Sequence, residues 1–321
     1  MAQIRRDESA ARASRGCSAR QGTPPLPAPR RPCIVLALAD ASYPTASLLR
    51  AFALSRGLGA GLHVVRVLPM TAMDVLVRKR GLPDTAHSPE RALSAHQATR
   101  AWLDTLLGEH VALEQVAILQ GDFAAQVATY VPDVRACLVV VASRETPGGQ
   151  TMTSLAHCCK VPILVAREVK MQDAIVAATD LQSPEYPVLR MAAELGACFD
   201  APVVTVHNVN PISVLLGTGV GWPPVSVLPA DPTRAARAVQ LKRATERLSV
   251  EARAVLRDEV SAADAILDEA KLNDADLVVV GTRQRSWLQR LLSGNVAEQI
   301  VKRANCSVLI TPIDGSASAT S

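Results

Sequence analysis

The chain reads as an α/β protein made of two doubly wound parallel-sheet domains in tandem. Three observations predict this. Short β-branched runs alternate with longer stretches of helical periodicity, the pattern of a parallel sheet covered by helices on both faces. The alternation runs once to Arg167 and then starts again in the same order, with a repeat of about 140 residues. Aromatic residues make up only 3% of a chain that is 49% hydrophobic, so its cores must pack alanine, valine and leucine, which suits such layers. A length of 321 residues is ample for two domains of this kind.

The elements follow in order. Residues 1–31 are rich in Arg, Ser, Ala and Pro and are expected to form a disordered tail. The first domain, expected over residues 32–167, opens with a strand from Ile34 to Ala39 that ends at Asp40. A helix over Ser47–Leu58, a strand over Leu62–Leu68 closed by Pro69, and a helix over Arg91–Leu107 come next. A third strand, Leu113–Leu119, leads through Gly121-Asp122 into a helix over Phe123–Tyr130. The strand Cys137–Ala142, a loop through Gly148-Gly149, a helix over Thr151–Cys158 and the strand Pro162–Ala166 complete the unit.

The second domain, expected over residues 172–312, repeats the series. Its strand Ala174–Thr179 ends at Asp180, and a helix covers Val188–Phe199. The strand Pro202–Val209 precedes Pro211, as the earlier one precedes Pro69. A long helix over Asp231–Leu248, a strand over Val250–Leu256 and a helix over Ala262–Leu272 follow. Leu277–Val280 is a strand expected to end at Gly281, with a loop over Arg283–Arg290, a helix over Val296–Arg303 and a last strand over Cys306–Thr311. Residues 313–321 are expected to be a flexible tail. The link near Arg167–Gln172 is short, which keeps each domain at high effective concentration near the other. Pairing of the domains within the chain is therefore expected, with the last strands of each as candidate edges, and a homodimer is the intermolecular alternative.

Charge and cysteine usage narrow the function classes. The net charge of +4 is concentrated in residues 1–31, where seven arginines face only Asp7 and Glu8; the rest is close to neutral. A neutral body lacks the basic face of a general nucleic-acid binder. No apolar run reaches the roughly 18–20 residues of a membrane-spanning helix. The seven cysteines show no C-x-x-C spacing, and reduced thiols in a cytoplasmic protein are the expectation. No zinc-protease, nucleophile-elbow or Walker sequence occurs, so neither a metal site nor an enzyme is expected. His63 and His207, both on second strands, read as core or edge histidines.

The most informative stretch runs from Asp276 to Val301: a buried strand, Gly281, a polar loop, Gly294 and a helix. A strand that feeds a glycine loop at a helix N-terminus can present backbone N–H groups to an anion. Together with Cys306-Ser-Val-Leu-Ile310, this stretch resembles the universal stress protein family, and the chain resembles the tandem type that carries two such domains in one polypeptide. The resemblance implies the adenine-nucleotide α-hydrolase-like fold and an adenine-nucleotide site. In the second domain it implies ligand-binding roles for Asp180, Asn208, Gly281, Thr282, Gly294, Asn295 and Val296. In the first domain it implies weaker ones for Asp40, Gly149 and Gln150.

Departures from the family pattern weaken the phosphate cradle. The pattern places glycines at the first, fourth and fourteenth positions, then Ser or Thr; here the second glycine is Gln284 and the hydroxyl residue is Asn295. Gln284 restricts close backbone approach, and Trp287 adds bulk where a small residue is usual. In the first domain Ala142 replaces the first glycine and the loop is shorter. The expectation is therefore a non-enzymatic cytoplasmic stress-response protein that acts through a small ligand or a partner. An ATP-binding sensor centred on the second domain is the alternative.

Overall fold

The computed structural model describes residues 32–39, 43–71, 89–108, 115–142, 154–156, 158–167, 174–183, 185–209, 232–283 and 296–313. Asp40, Gly149, Gln150, Gln284, Trp287, Gly294 and Asn295 lie outside the described residues. The order of elements is β1 (Cys33–Ala39), α1 (Thr45–Gly57), β2 (Gly61–Leu68), α2 (Pro89–Leu107), β3 (Gln115–Gln120), α3 (Phe123–Asp133), β4 (Ala136–Ala142) and β5 (Ile163–Ala166). It continues with β6 (Ile175–Ala178), α4 (Pro187–Phe199), β7 (Val203–Asn208), α5 (Pro232–Glu246), β8 (Ala252–Arg257), α6 (Ala262–Leu272), β9 (Leu277–Arg283), α7 (Val296–Arg303) and β10 (Ser307–Ile313).

The strands form one ten-stranded sheet in the order β3-β2-β1-β4-β5-β10-β9-β6-β7-β8. Each half is a parallel five-stranded sheet with the same internal order, and the two join where β5 meets β10 in antiparallel register, Leu164 opposite Leu309. That junction is what a twofold rotation between two similar halves generates. It is reinforced across the halves by the Arg50–Asp276 ion pair at 3.8 Å and by the Arg167 backbone N–H, which donates to Ser307 Oγ at 3.2 Å.

The sequence pattern explains why these segments become central strands. Every residue of β2 is buried and β1 is buried from Cys33 to Leu38, so both present apolar residues to both faces rather than alternating, with His63 and Arg66 as the buried polar residues of β2. Two apolar layers result. On one face Val35, Val65, Val127, Ile266, Val278 and Ile300 pack with the helices α3, α6 and α7; on the other Leu36, Leu48, Leu189, Val203 and Leu309 pack with α1 and α4. Each layer runs across the junction, so the halves share a core as well as a sheet. His63 is a core histidine here, its Nδ1 3.1 Å from the Tyr130 hydroxyl.

Two expectations at the C-terminal end need correction. β9 does not end at Gly281 but continues through Thr282 to Arg283, because Thr311, Pro312 and Ile313 of β10 pair with these three residues. Ile313 correspondingly is not part of a flexible tail; it is a strand residue only 8% exposed. Pairing between strands some thirty residues apart is not visible in either segment alone.

Candidate functional site

Within the second half the sheet order reverses between β6 and β9: the chain leaves β6 toward β7 on one side and later returns to β9 on the other. A crevice at the carboxyl ends of strands opens at such a switch point, and ligands of open α/β sheets bind there. A cavity of about 420 Å³ lies at this place. Its walls come from the end of β6 (Ala178 to Asp180), β7 (Val206 to Asn208), β9 (Val280, Gly281), the start of α4 (Pro187, Val188), α5 (Arg237), α6 (Ala262, Ile266) and α7 (Val296, Ala297). The volume falls within the range of roughly 300–1,000 Å³ common to small-molecule sites.

Local hydrogen bonds shape the polar rim. Asp180 closes a turn by accepting the Gln182 N–H at 2.9 Å, and Thr179 Oγ1 accepts the Leu181 N–H at 3.1 Å. Asn208 is held twice by one residue: Nδ2 donates to the Glu259 carbonyl at 2.8 Å, and Oδ1 accepts the Glu259 N–H at 2.9 Å. Its amide thus ties the end of β7 to the turn before α6, and Ser261 starts that helix by accepting the Asp264 N–H at 3.2 Å. The loop from β6 to α4 carries two non-glycine residues in the left-handed region, Leu181 (φ 57°) and Tyr186 (φ 43°). Such a loop persists only when its surroundings over-determine it. Here Gln240 of α5 does so, with Nε2 donating to the Leu181 carbonyl at 2.9 Å and to the Tyr186 hydroxyl at 3.3 Å.

His207 faces this cavity, which its place on a buried strand does not reveal. It is 9% exposed, and its Nδ1 donates to the Thr179 carbonyl at 2.8 Å, so the neutral ring presents a lone pair at Nε2. Burial pushes its pKa below the ordinary histidine value, the Thr179 carbonyl opposes this, nearby Arg237 adds to the depression and Asp180 opposes it. The ring is therefore a neutral acceptor at pH 7.

Gly281 lines the cavity, but its missing side chain has a packing reason. A Cβ placed there would collide with the Ile313 Cδ1 atom and lie 3.0 Å from Val188 Cγ2. Ile313 and Val188 thus occupy the space a side chain at this position would need. Thr282, also expected at the site, pairs with Pro312 inside the sheet and does not line the cavity. Of the expected residues that are described, the structure gathers Asp180, Asn208, Gly281 and Val296 around one cavity and leaves Thr282 outside it. It adds His207, Tyr186 and Arg237, of which the motif spacing gave no sign.

The sequence profile of the universal stress protein family matches residues 171–312. A universal stress protein of Methanocaldococcus jannaschii is 30% identical over 138 residues, which are 42% of this chain and 79% of that relative. The chain belongs to the universal stress protein family. The fold agrees over a longer span. A universal stress protein structure from Archaeoglobus fulgidus superposes with a TM-score of 0.60 at 14% identity, covering 87% of this chain and 96% of that one. A protein of unknown function from Pseudomonas aeruginosa superposes with a TM-score of 0.56 at 15% identity, covering 88% and 93%. In this universal stress protein the family match falls on the half that holds the cavity.

Proposed function

We propose that this universal stress protein is a non-enzymatic, cytoplasmic stress-response protein. It carries two universal stress domains in tandem, residues 32–167 and 172–312, and acts by holding a small ligand of the nucleoside class in the second. The observation that carries this reading is the cavity at the β6/β9 switch point, where Asp180, Asn208 and His207 converge. A neutral acceptor ring, a carboxylate and a strand end suit a base and ribose. The phosphate cradle is the degenerate part: Ile313 and Val188 cover Gly281, so a triphosphate cannot lie along this strand end as it could over an open glycine. This favours a nucleoside or monophosphate over ATP. The ATP-sensor reading is the alternative, with phosphates held by the segment from Gln284 to Asn295. The continuous sheet through β5 and β10 supports intramolecular pairing of the two domains as the working unit.

Calorimetric titration of the purified full chain with adenosine, AMP and ATP tests this. The expected result is binding of adenosine or AMP, weakened at least tenfold by Asp180→Ala, with no release of phosphate from ATP over hours. ATP bound more tightly than AMP supports the sensor. No binding of any of the three sinks the nucleoside reading.

A further inference from the structure

The second half is rich in arginine, and four of its described arginines face a carboxylate. Arg234 pairs with Asp258 at 2.7 Å, Arg257 and Arg253 converge on Glu269, and Arg303 reaches Asp264. Arg237 differs. It stands one turn beyond Arg234 on α5, half-buried, in the cavity wall. Among the described residues it makes no ion pair, and its hydrogen bond goes to a neutral group, Nη1 donating to Gln240 Oε1 at 3.0 Å. Gln240 is itself fixed, since its other end donates to Leu181 and Tyr186 of the β6–α4 loop. The guanidinium is thus held in place by a neutral amide, with Asp180 as the carboxylate of the same cavity wall.

We propose that Arg237 is the specificity-determining residue of this cavity, selecting a ligand that bears an anionic phosphoryl group over the bare nucleoside. The inference rests on the nucleoside reading of the site and gives it a charge requirement. A guanidinium has five donors in a planar fork, and one bond to Gln240 leaves the others able to meet a phosphoryl oxygen pair. The neutral His207 ring beside it adds an acceptor and no competing positive charge. This arrangement moves anion recognition from the strand glycine to α5, which Gln240 ties to the loop. The phosphoryl group sits on the α5 side of the cavity, away from Ile313.

The experiment compares adenosine and AMP by calorimetry on the wild-type chain and on Arg237→Gln and Arg237→Lys. The wild type is expected to bind AMP roughly tenfold or more tightly than adenosine, the gain of a charge-assisted contact. Arg237→Gln should bring the ratio of AMP to adenosine affinity down to about one. Arg237→Lys should keep part of the preference, since it keeps the charge and loses the fork. An AMP preference that survives Arg237→Gln overturns the assignment, as does a wild type that binds both ligands equally. A loss of both ligands in Arg237→Gln and Arg237→Lys alike overturns it too, since that marks a residue needed only for the shape of α5. A wild type that binds neither overturns the nucleoside reading along with it.

Discussion

In the first half, Arg66 stands on β2 opposite Leu38; in the second, His207 stands on β7 one step past the Ala178–Val206 pair. Both point to the α1/α4 face near the carboxyl ends of their strands. Arg66 is 2% exposed, donates from Nη1 to the Tyr43 hydroxyl at 2.9 Å and to Thr99 Oγ1 at 3.1 Å, and lies 4.3 Å above the Tyr43 ring. Trp102 closes the stack edge-on against Tyr43 at 5.4 Å. The long cationic side chain packs into its corner against Tyr43 and Thr99. His207 is shorter, reaches back to Thr179, and borders a cavity whose cation comes from a helix instead. Two halves with one strand order therefore place different side chains at the same corner. The lesson is that the sheet supplies the address, while one side chain on the second strand decides whether the corner is filled.

The largest expected effect comes from emptying the filled corner. Arg66→Ala removes the hydrogen bonds to Tyr43 and Thr99 and a stacked guanidinium from a buried place, and should lower stability by about 3 kcal/mol in urea denaturation. His207→Ala, at a corner that is already open, should cost only about 1 kcal/mol, the loss of one hydrogen bond. Equal losses would break the comparison. Gly281→Ala should come next, at about 2 kcal/mol, because the new methyl group meets Ile313 and Val188 in a packed layer. Ile313→Ala in the same chain should recover part of that loss, which a double-mutant cycle reads as coupling between strands. Additive losses would show that the cover over the glycine is not what keeps it a glycine.

The halves can also be compared where they ought to agree. Asp122 caps α3 by accepting the Ala125 N–H at 2.9 Å, and Ser261 caps α6, its counterpart in the repeat, through Asp264. Asp122→Ala and Ser261→Ala should each cost about 1 kcal/mol in the same denaturation measurement. A much larger loss for Ser261 would mean that the cap also supports the cavity wall at Ala262.

The smallest effect expected is a pH dependence confined to the open corner. The His207 pKa is held below the 6.5 of a free histidine, chiefly by burial, so the unfolded chain takes up a proton more readily than the folded one as pH falls below that value. Stability from the neutral ring is present above about pH 6.5 and declines as pH drops toward the folded pKa. Thermal melts between pH 7.5 and 5.5 should therefore show a shallower acid slope for His207→Gln than for the wild type. A slope left unchanged by this substitution would place the titration elsewhere.

Much of the fold was legible because its signals are local. Runs such as Val-Val-Val at 278–280 are apolar on both faces, which marks a buried parallel strand, and Phe123, Ala262 and Val296 begin helices where the periodicity says they should. The site was legible only in outline. Asp180 and Asn208 could be placed at strand ends, and both line the cavity. Arg237 could not, because nothing in a polar helix tells which of its arginines turns inward. Gly281 was legible as a residue that must stay small, but not for the reason. A glycine in a strand signals close approach by something, and the pairing of β10 with β9 brings Ile313 to where its Cβ would stand.

By itself, then, the sequence determined the alternation of strands and helices, their repetition in two halves, and the strand ends where a ligand could lie. These follow from backbone preference and from solvent exclusion along single segments. Only the tertiary structure decided that the halves share one sheet, that the corner at Arg66 is filled while the corner at His207 is open, and that the guanidinium at the cavity belongs to α5. Each of these depends on side chains from segments far apart in the chain meeting in a space of a few ångströms. That meeting is set by packing across the whole sheet, and no single stretch carries it.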